Sequence, residues 1–222
     1  MKYLILLLLS ITVHAQSTPI VIKIDSIATT EAEDNRRAFK LHYQITNTTN
    51  QEISFVLDLK TIIPIGAGSL RPMPYYKVYE NEMTLEVNGI FTEEKQVLNF
   101  KNEAEMYRYQ DSITATFQNK TPEQWQQEKK EYFLNNIQKM QPNEVKHFDA
   151  VIVWDKNRYH RNGDIEYFIE EKEKHFIELH INLMAEELLL SFSETEKNEI
   201  LKDKVLTKGW FTSNKMEINL GE

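Results

Sequence analysis

Cysteine is absent from all 222 residues. That excludes a disulfide framework, a catalytic thiol and a lipid-anchored amino terminus. An exported chain with no cysteine points to a bacterial source. Glycine and proline are scarce, at six residues each. With ordinary apolar content, such a composition describes a folded chain and not a disordered one. Basic residues are outnumbered, 26 Lys and Arg against 34 Asp and Glu, for a net charge of −8. Phosphate contacts need clustered cations, so nucleic acid is not an expected partner, and anionic membranes should repel the chain. Internal repeats and low-complexity segments are also missing. So is any long apolar run. The most apolar stretch, residues 3–9, is far shorter than the roughly 20 residues a membrane-spanning helix needs.

That short run has a meaning of its own. Met1 and Lys2 precede it, and Ser10, Ile11, Thr12, Val13, His14 and Ala15 follow. A positive start, a brief apolar stretch and small residues three and one positions before Gln16 form the layout of a secretory signal peptide. The expectation is a signal peptide over residues 1–15 and a single domain over residues 16–222. The protein is then exported, periplasmic or secreted, with no transmembrane segment once the signal is removed. The domain is long enough to bury a sizeable core unaided.

Period-two alternation dominates the remainder. Phe39, Leu41, Tyr43 and Ile45 alternate with Lys40, His42, Gln44 and Thr46, which predicts a half-buried strand. Asn47, Thr48, Thr49 and Asn50 then predict a turn, and alternation resumes over residues 53–59. Ile20, Ile22 and Ile24 share one face of an earlier strand. Phe148, Ala150, Ile152 and Trp154 share another, as do Ile177, Leu179, Ile181 and Leu183, with Glu178, His180 and Asn182 opposite. On that polar side, truncating His180 should change stability by no more than about 0.5 kcal/mol. Residues 210–220 are the last strand candidate. Asn88-Gly89 and Asn162-Gly163 each predict a two-residue hairpin turn, because Asn and Gly accept positive φ cheaply.

Two helices interrupt the strands. Thr121, Pro122 and Gln124 combine a cap, a first-turn proline and a capping box. Trp125, Tyr132, Phe133, Ile137 and Met140 follow at helical spacing, predicting a helix over 121–140 that ends before Pro142. This aromatic stripe reads as core and not as a ligand site. Ser193 and Glu196 predict a second, short helix near 193–203. Residues 184–192 fit either strand or helix. Residues 101–120 are polar and weakly patterned, and read as a connector.

The run from Phe39 to Ile53, a strand ending in Thr46-Asn47 before a turn and a second apolar strand, resembles a motif of immunoglobulin-like exported bacterial domains. Met140-Gln141-Pro142-Asn143-Glu144-Val145 is similar to the Leu-x-Pro-Gly-Glu entry to a later strand of such domains, with Asn143 where glycine is usual. Bacterial proteinase inhibitors share this layout. The resemblance implies an immunoglobulin-like antiparallel β-sandwich, mostly β, in which residues 121–140 form a helical insertion. It implies little about activity, since sandwiches host many functions.

Catalytic and ligand motifs are missing. There is no Gly-x-Ser-x-Gly elbow, no His-Glu-x-x-His, and no glycine-rich loop ahead of a helix. His175 and His180 lie an odd number of residues apart, so a regular strand turns them to opposite faces and they share no metal. His147 and Asp149 share a face, which reads as a surface hydrogen bond. No metal, cofactor or catalytic residue is expected. Asn47-Thr48-Thr49 and Asn119-Lys120-Thr121 fit the glycosylation sequon but read as turn and cap chemistry. Residues 63–76 form an apolar connector holding half the prolines. Arg71, Met73, Tyr75 and Tyr76 within it are of types enriched at interfaces. The expectation is a non-enzymatic exported protein that binds a protein or cell-envelope partner through those four residues. The alternatives are a protease inhibitor presenting a loop, or a hydrolase whose site the sequence does not reveal.

Cleavage before Gln16 is directly measurable. Intact mass of the exported protein should correspond to residues 16–222, with or without cyclisation of Gln16. A mass that retains residues 1–15 rejects the signal peptide.

Overall fold

The computed structural model describes residues 18–32, 36–65, 71–85, 88–89, 100–155, 159–162, 165–169, 172–202 and 206–220. The signal peptide and residues 90–92 of the first expected hairpin lie outside them. In chain order the elements are β1 (Ile20–Ala32), β2 (Arg36–Asn47), β3 (Ile53–Val56), β4 (Ile63–Pro64), β5 (Pro74–Glu80), β6 (Met83–Thr84), β7 (Asn88–Gly89), α1 (Glu103–Phe117), α2 (Pro122–Asn135), β8 (Ile137–Met140), β9 (Val145–Asp155), β10 (Tyr159–Asn162), β11 (Ile165–Phe168), β12 (His175–Asn182), α3 (Glu186–Leu189), α4 (Glu194–Leu201) and β13 (Trp210–Ile218). The protein is mostly β, with several antiparallel sheets and small helices.

Two main sheets face each other. One runs β1-β2-β9 and the other β13-β12-β5-β4, with β6 added to β5. Between them lies one core. Ile20, Ile22, Ile24, Phe39, Leu41, Tyr43 and Ile45 meet Tyr76, Val78, Ile177, Leu179 and Ile181 there. These are the faces that alternation predicts, because every second side chain of a strand points the same way. Trp154 packs edge-on against Phe39, 4.9 Å between ring centres, and its indole N–H donates to the Tyr76 hydroxyl at 3.3 Å.

The sheets are also joined at one side. β1 carries an extra residue between Ile24 and Ser26, and β13 carries one opposite Glu178 and His180. At these bulges the Asn214 side chain accepts from the Ile24 N–H at 2.8 Å and donates to the Ile24 carbonyl at 3.3 Å. Ser213 Oγ accepts from the Leu179 N–H at 2.9 Å. One side-chain amide thus stands in for the ladder bonds that β1 and β13 do not make directly.

Four expectations change. The helix after Pro122 stops at Asn135, and residues 137–140 form β8, paired with β3. Ile137 and Met140 suit either structure, and pairing with Val56 and Ile53 decides. Residues 103–117 form α1, capped by Asn102, whose side chain accepts from the Glu105 N–H at 2.9 Å. Its lack of an apolar stripe conceals it in the sequence, since Ala115 is its one buried residue. Asn88-Gly89 is not a turn but a strand segment paired with β11. The tight turn lies earlier, at Asn81-Glu82 between Glu80 and Met83, with Asn81 at φ 52°. β3 is buried on both faces instead of one. Ile53 and Phe55 enter the sandwich core. Val56 enters a second core with Phe133, Ala185, Leu188, Phe192 and Leu206.

The second predicted hairpin does pair β10 with β11, but Asn162 stands opposite Ile165 as the last residue of β10 and so does not open the turn as expected. Both capping boxes, at Thr121–Gln124 and Ser193–Glu196, are formed. Asn143 has φ 58°, a conformation that glycine adopts freely and Asn tolerates.

Asn47 holds the corner between β2, β3 and β9. It is fully buried. Its Nδ2 donates to the carbonyls of Gln51, Met140 and Gln141, at 2.8, 3.3 and 2.8 Å. Its Oδ1 accepts from the N–H and hydroxyl of Thr49, at 2.9 and 2.7 Å. Asn47→Ala strands those groups and should cost about 2–4 kcal/mol in urea denaturation. A loss below about 1 kcal/mol would show that water replaces the amide without penalty.

Candidate functional site

Helix α2 starts at the Thr121 cap and presents Trp125, Glu128, Lys129 and Tyr132 three and four residues apart, on one face. That face looks onto α3 and onto Arg71 ahead of β5. Together with Glu187 and Leu188 these residues line a cleft of about 140 Å³. Lys129 is its buried cation, 6 % exposed. Its ammonium donates to both oxygens of Asp111 on α1, at 3.0 and 3.1 Å, and lies 3.8 Å from Glu187. The same Asp111 accepts from the Trp125 indole at 3.0 Å and from Gln126 at 3.2 Å. Asp111, with Glu187 beside it, thus compensates the buried charge and also fixes the indole wall.

Two turns further along the same helix face, Tyr132 is the second aromatic wall. The Arg71 guanidinium stands 5.8 Å from its ring centre. Burial, reinforced by the charge of Asp58, pushes the Tyr132 phenol far above its ordinary pKa, so it stays a neutral hydrogen-bonding group. At the rim, Glu128 pairs with Lys120 at 2.6 Å, and Lys120 lies over the Trp125 ring.

Arg71 is the one exposed residue of the four expected to contact a partner. Met73, Tyr75 and Tyr76 are 6, 1 and 0 % exposed. Both ends of the apolar connector are strand: β4 (Ile63–Pro64) pairs in parallel with β5 at Tyr75 and Tyr76, which places these two tyrosines within the sheet. Tyr76 fills the sandwich core. Tyr75 packs against Trp210 on the other side of the sheet, 5.4 Å between ring centres. Both aromatic walls of the cleft belong to the stripe read as core. Lys129 and Glu187 carried no signal, because what makes them a site is the approach of α3 to α2.

A second polar cluster lies on the outer side of β12. The Tyr79 hydroxyl donates to Glu178 Oε2 at 2.7 Å, and His180 Nε2 lies 2.8 Å from the same oxygen. The Lys215 ammonium sits 3.5 Å from the Tyr79 ring centre. Burial, then Glu178, pushes the Tyr79 phenol up to about 12. His180 points to the expected side, but that side is covered, and His180 is 8 % exposed between Tyr75 and Thr212 on the flanking strands. The small stability cost expected for its truncation is therefore corrected upward. His175 faces the interior, 3.3 Å from Glu80. The β13 bulge does not bring the two histidines together.

On the surface, Asp149 binds His42 on the neighbouring strand, and His147 lies 3.7 Å from Asp25. Among the described residues no group of three or more His, Cys, Asp or Glu is placed to hold a metal ion, and no helix is long and apolar enough to cross a membrane. No family model matches the chain, and no curated protein matches it.

Burial holds the His180 pKa below its ordinary value. Lys77 acts in the same direction and Glu178 opposes both. The folded state therefore favours neutral His180. Stability from this group is complete above the unfolded pKa of about 6.5 and is lost as the pH falls below it, where the unfolded chain takes the proton first. His180→Gln should flatten that part of the pH dependence in urea denaturation. His180→Ala should cost about 1–2 kcal/mol at neutral pH, from the bond to Glu178 and lost packing. An unchanged pH profile in His180→Gln removes the histidine from this role.

Proposed function

We propose that this chain is an exported, non-enzymatic binding protein and that the cleft between α2, α3 and Arg71 receives a side chain of a protein partner. The observation that carries the reading is the size and lining of the cleft. At about 140 Å³ it is smaller than the roughly 300–1,000 Å³ of small-molecule sites, and suits one inserted side chain. Its walls are Trp125 and Tyr132 and its exposed edge is Arg71. Trp, Tyr and Arg dominate the energetics of protein interfaces. The walls are set in advance by Asp111 and by the Tyr132 hydroxyl, which donates to the Pro72 carbonyl at 3.4 Å. Preset walls lower the ordering cost of association.

The export signal read over residues 1–15 supports a partner in the periplasm, in the envelope or outside the cell. The excess of carboxylates over cations favours a partner with a basic surface around the inserted side chain. The immunoglobulin-like resemblance is compatible with this role and does not specify it.

Arg71 allows a clean test. The Tyr75 hydroxyl and the Asn182 amide both donate to the Arg71 backbone carbonyl, at 2.9 and 3.2 Å, and truncating the side chain spares those bonds. The wild-type protein should capture a partner from the native cell envelope. Arg71→Ala should then weaken that interaction by about 2 kcal/mol, roughly thirtyfold, while the lost contact with the Tyr132 ring lowers the thermal midpoint by only a few degrees. Undiminished binding by both Arg71→Ala and Glu187→Lys moves the partner surface elsewhere. Turnover of an activity-based hydrolase probe by the purified protein overturns the non-enzymatic reading.

A further inference from the structure

We propose that β9 is a self-association edge, at which a second copy of this chain pairs antiparallel over Val145–Val151 about a twofold axis at Phe148. β9 is the last strand of the sheet β1-β2-β9, and among the described residues it pairs with β2 alone. It is eleven residues long and its register with β2 is unbroken. It contains neither Pro nor Gly. Natural edge strands are usually blunted by a bulge, a proline, an outward lysine or short length, and β9 has none of these. Its one lysine, Lys146, is tied back, its ammonium donating to the Lys139 carbonyl at 2.6 Å. The backbone groups along the outer edge are thus a template for another strand.

The outward side chains say which strand. Val145 and Val151 are 44 and 52 % exposed. Between them His147 and Asp149 expose 72 and 57 % of their side chains. From Val145 to Val151 they read Val, His, Asp, Val, and Val153, 37 % exposed, follows beyond the span that this axis pairs. An antiparallel copy centred on Phe148 sets Val145 against Val151 of the second copy and His147 against its Asp149, each twice by symmetry. Apolar meets apolar and imidazole meets carboxylate. On the inner side the two Phe148 rings face each other across the axis. Neighbouring registers fail. An axis at Asp149 opposes two carboxylates, and an axis at His147 opposes two imidazoles and puts Val145 against Asp149. A one-residue change in the axis therefore loses the complementarity, which is how a register is specified. The pairing that a twofold axis demands, residue i on j and j on i, is met by this one segment.

Sedimentation velocity from micromolar to millimolar protein should show a monomer–dimer equilibrium. His147→Asp puts like charges opposite each other twice and should raise the dissociation constant about tenfold, while His147→Asp with Asp149→His should return it to within about threefold of wild type. Asp149 also binds His42 and Lys40 within its own chain, so a second measurement guards against a folding defect in the double variant. The chain has no cysteine. Val145→Cys protein mixed with Val151→Cys protein should therefore give a disulfide-linked heterodimer on mild oxidation, and neither alone should cross-link comparably. A monomer at every concentration, a dimer indifferent to His147→Asp, or equal cross-linking of each cysteine variant with itself overturns the proposal.

Discussion

β3 has no solvent side, and the rest of the molecule is arranged around that fact. Ile53 and Phe55 point into the core between the two sheets, while Val56 points away, into a second core with Phe133 of α2, Leu188 of α3 and Phe192. A strand in a two-layer sandwich ordinarily leaves one face to water. Here the far face of β3 must be covered, and the helices cover it. The same strand is held laterally by β8 on one edge. Near the other, the Ser54 carbonyl accepts from the Thr207 N–H at 2.7 Å and Leu206 forms a parallel bridge. The cleft exists because these helices are anchored there. α2 reaches it through Phe133 and α3 through Leu188, and the space between their outer turns is what Trp125, Lys129, Tyr132 and Glu187 line.

Polar side chains do the joining where backbone ladders stop. Asn47 ties the turn after β2 to the turn before β9. Asn214 ties β1 to β13 at paired bulges. Asp111 ties α1 to α2 through Trp125, Gln126 and Lys129. Each is a short side chain that makes several bonds with little entropy to lose, and Asn47 and Asp111 are buried enough that an unmade bond is costly. A fold without disulfides relies on such contacts to fix the angles between its layers.

The two surfaces proposed for binding differ in kind. The cleft is concave, with Arg71 at its edge and a compensated cation at its floor, and it suits an inserted side chain. The β9 edge is extended and presents backbone groups flanked by two valines and an opposite-charge pair, and it suits a strand. One is built on the helices beside β3 and the other on the outer strand of the β1-β2-β9 sheet.

By itself the sequence determined the faces of the long strands, the caps of α2 and α4, and the acidic, cysteine-free character of the chain. These follow from near neighbours. Alternation at Phe39, Leu41, Tyr43 and Ile45 sets a strand's buried side, and Thr121 with Gln124 closes a helix start within four residues. Tertiary structure decided what depends on distant partners. Ile137 and Met140 fit a helical stripe equally well, and became strand because β3 offered an unpaired edge. Tyr75 and Tyr76 have the composition of a recognition surface, and were buried because β5 lies between β4 and β12. His180 faces the polar side, yet that side is covered by its cross-strand neighbours. α1 has almost no apolar pattern, and its role appears only when Asp111 meets α2. The cleft belongs to this second class as well. Arg71 was visible as a contact type, but Trp125, Lys129 and Glu187 become a site through the approach of two helices far apart in sequence, which no local pattern encodes.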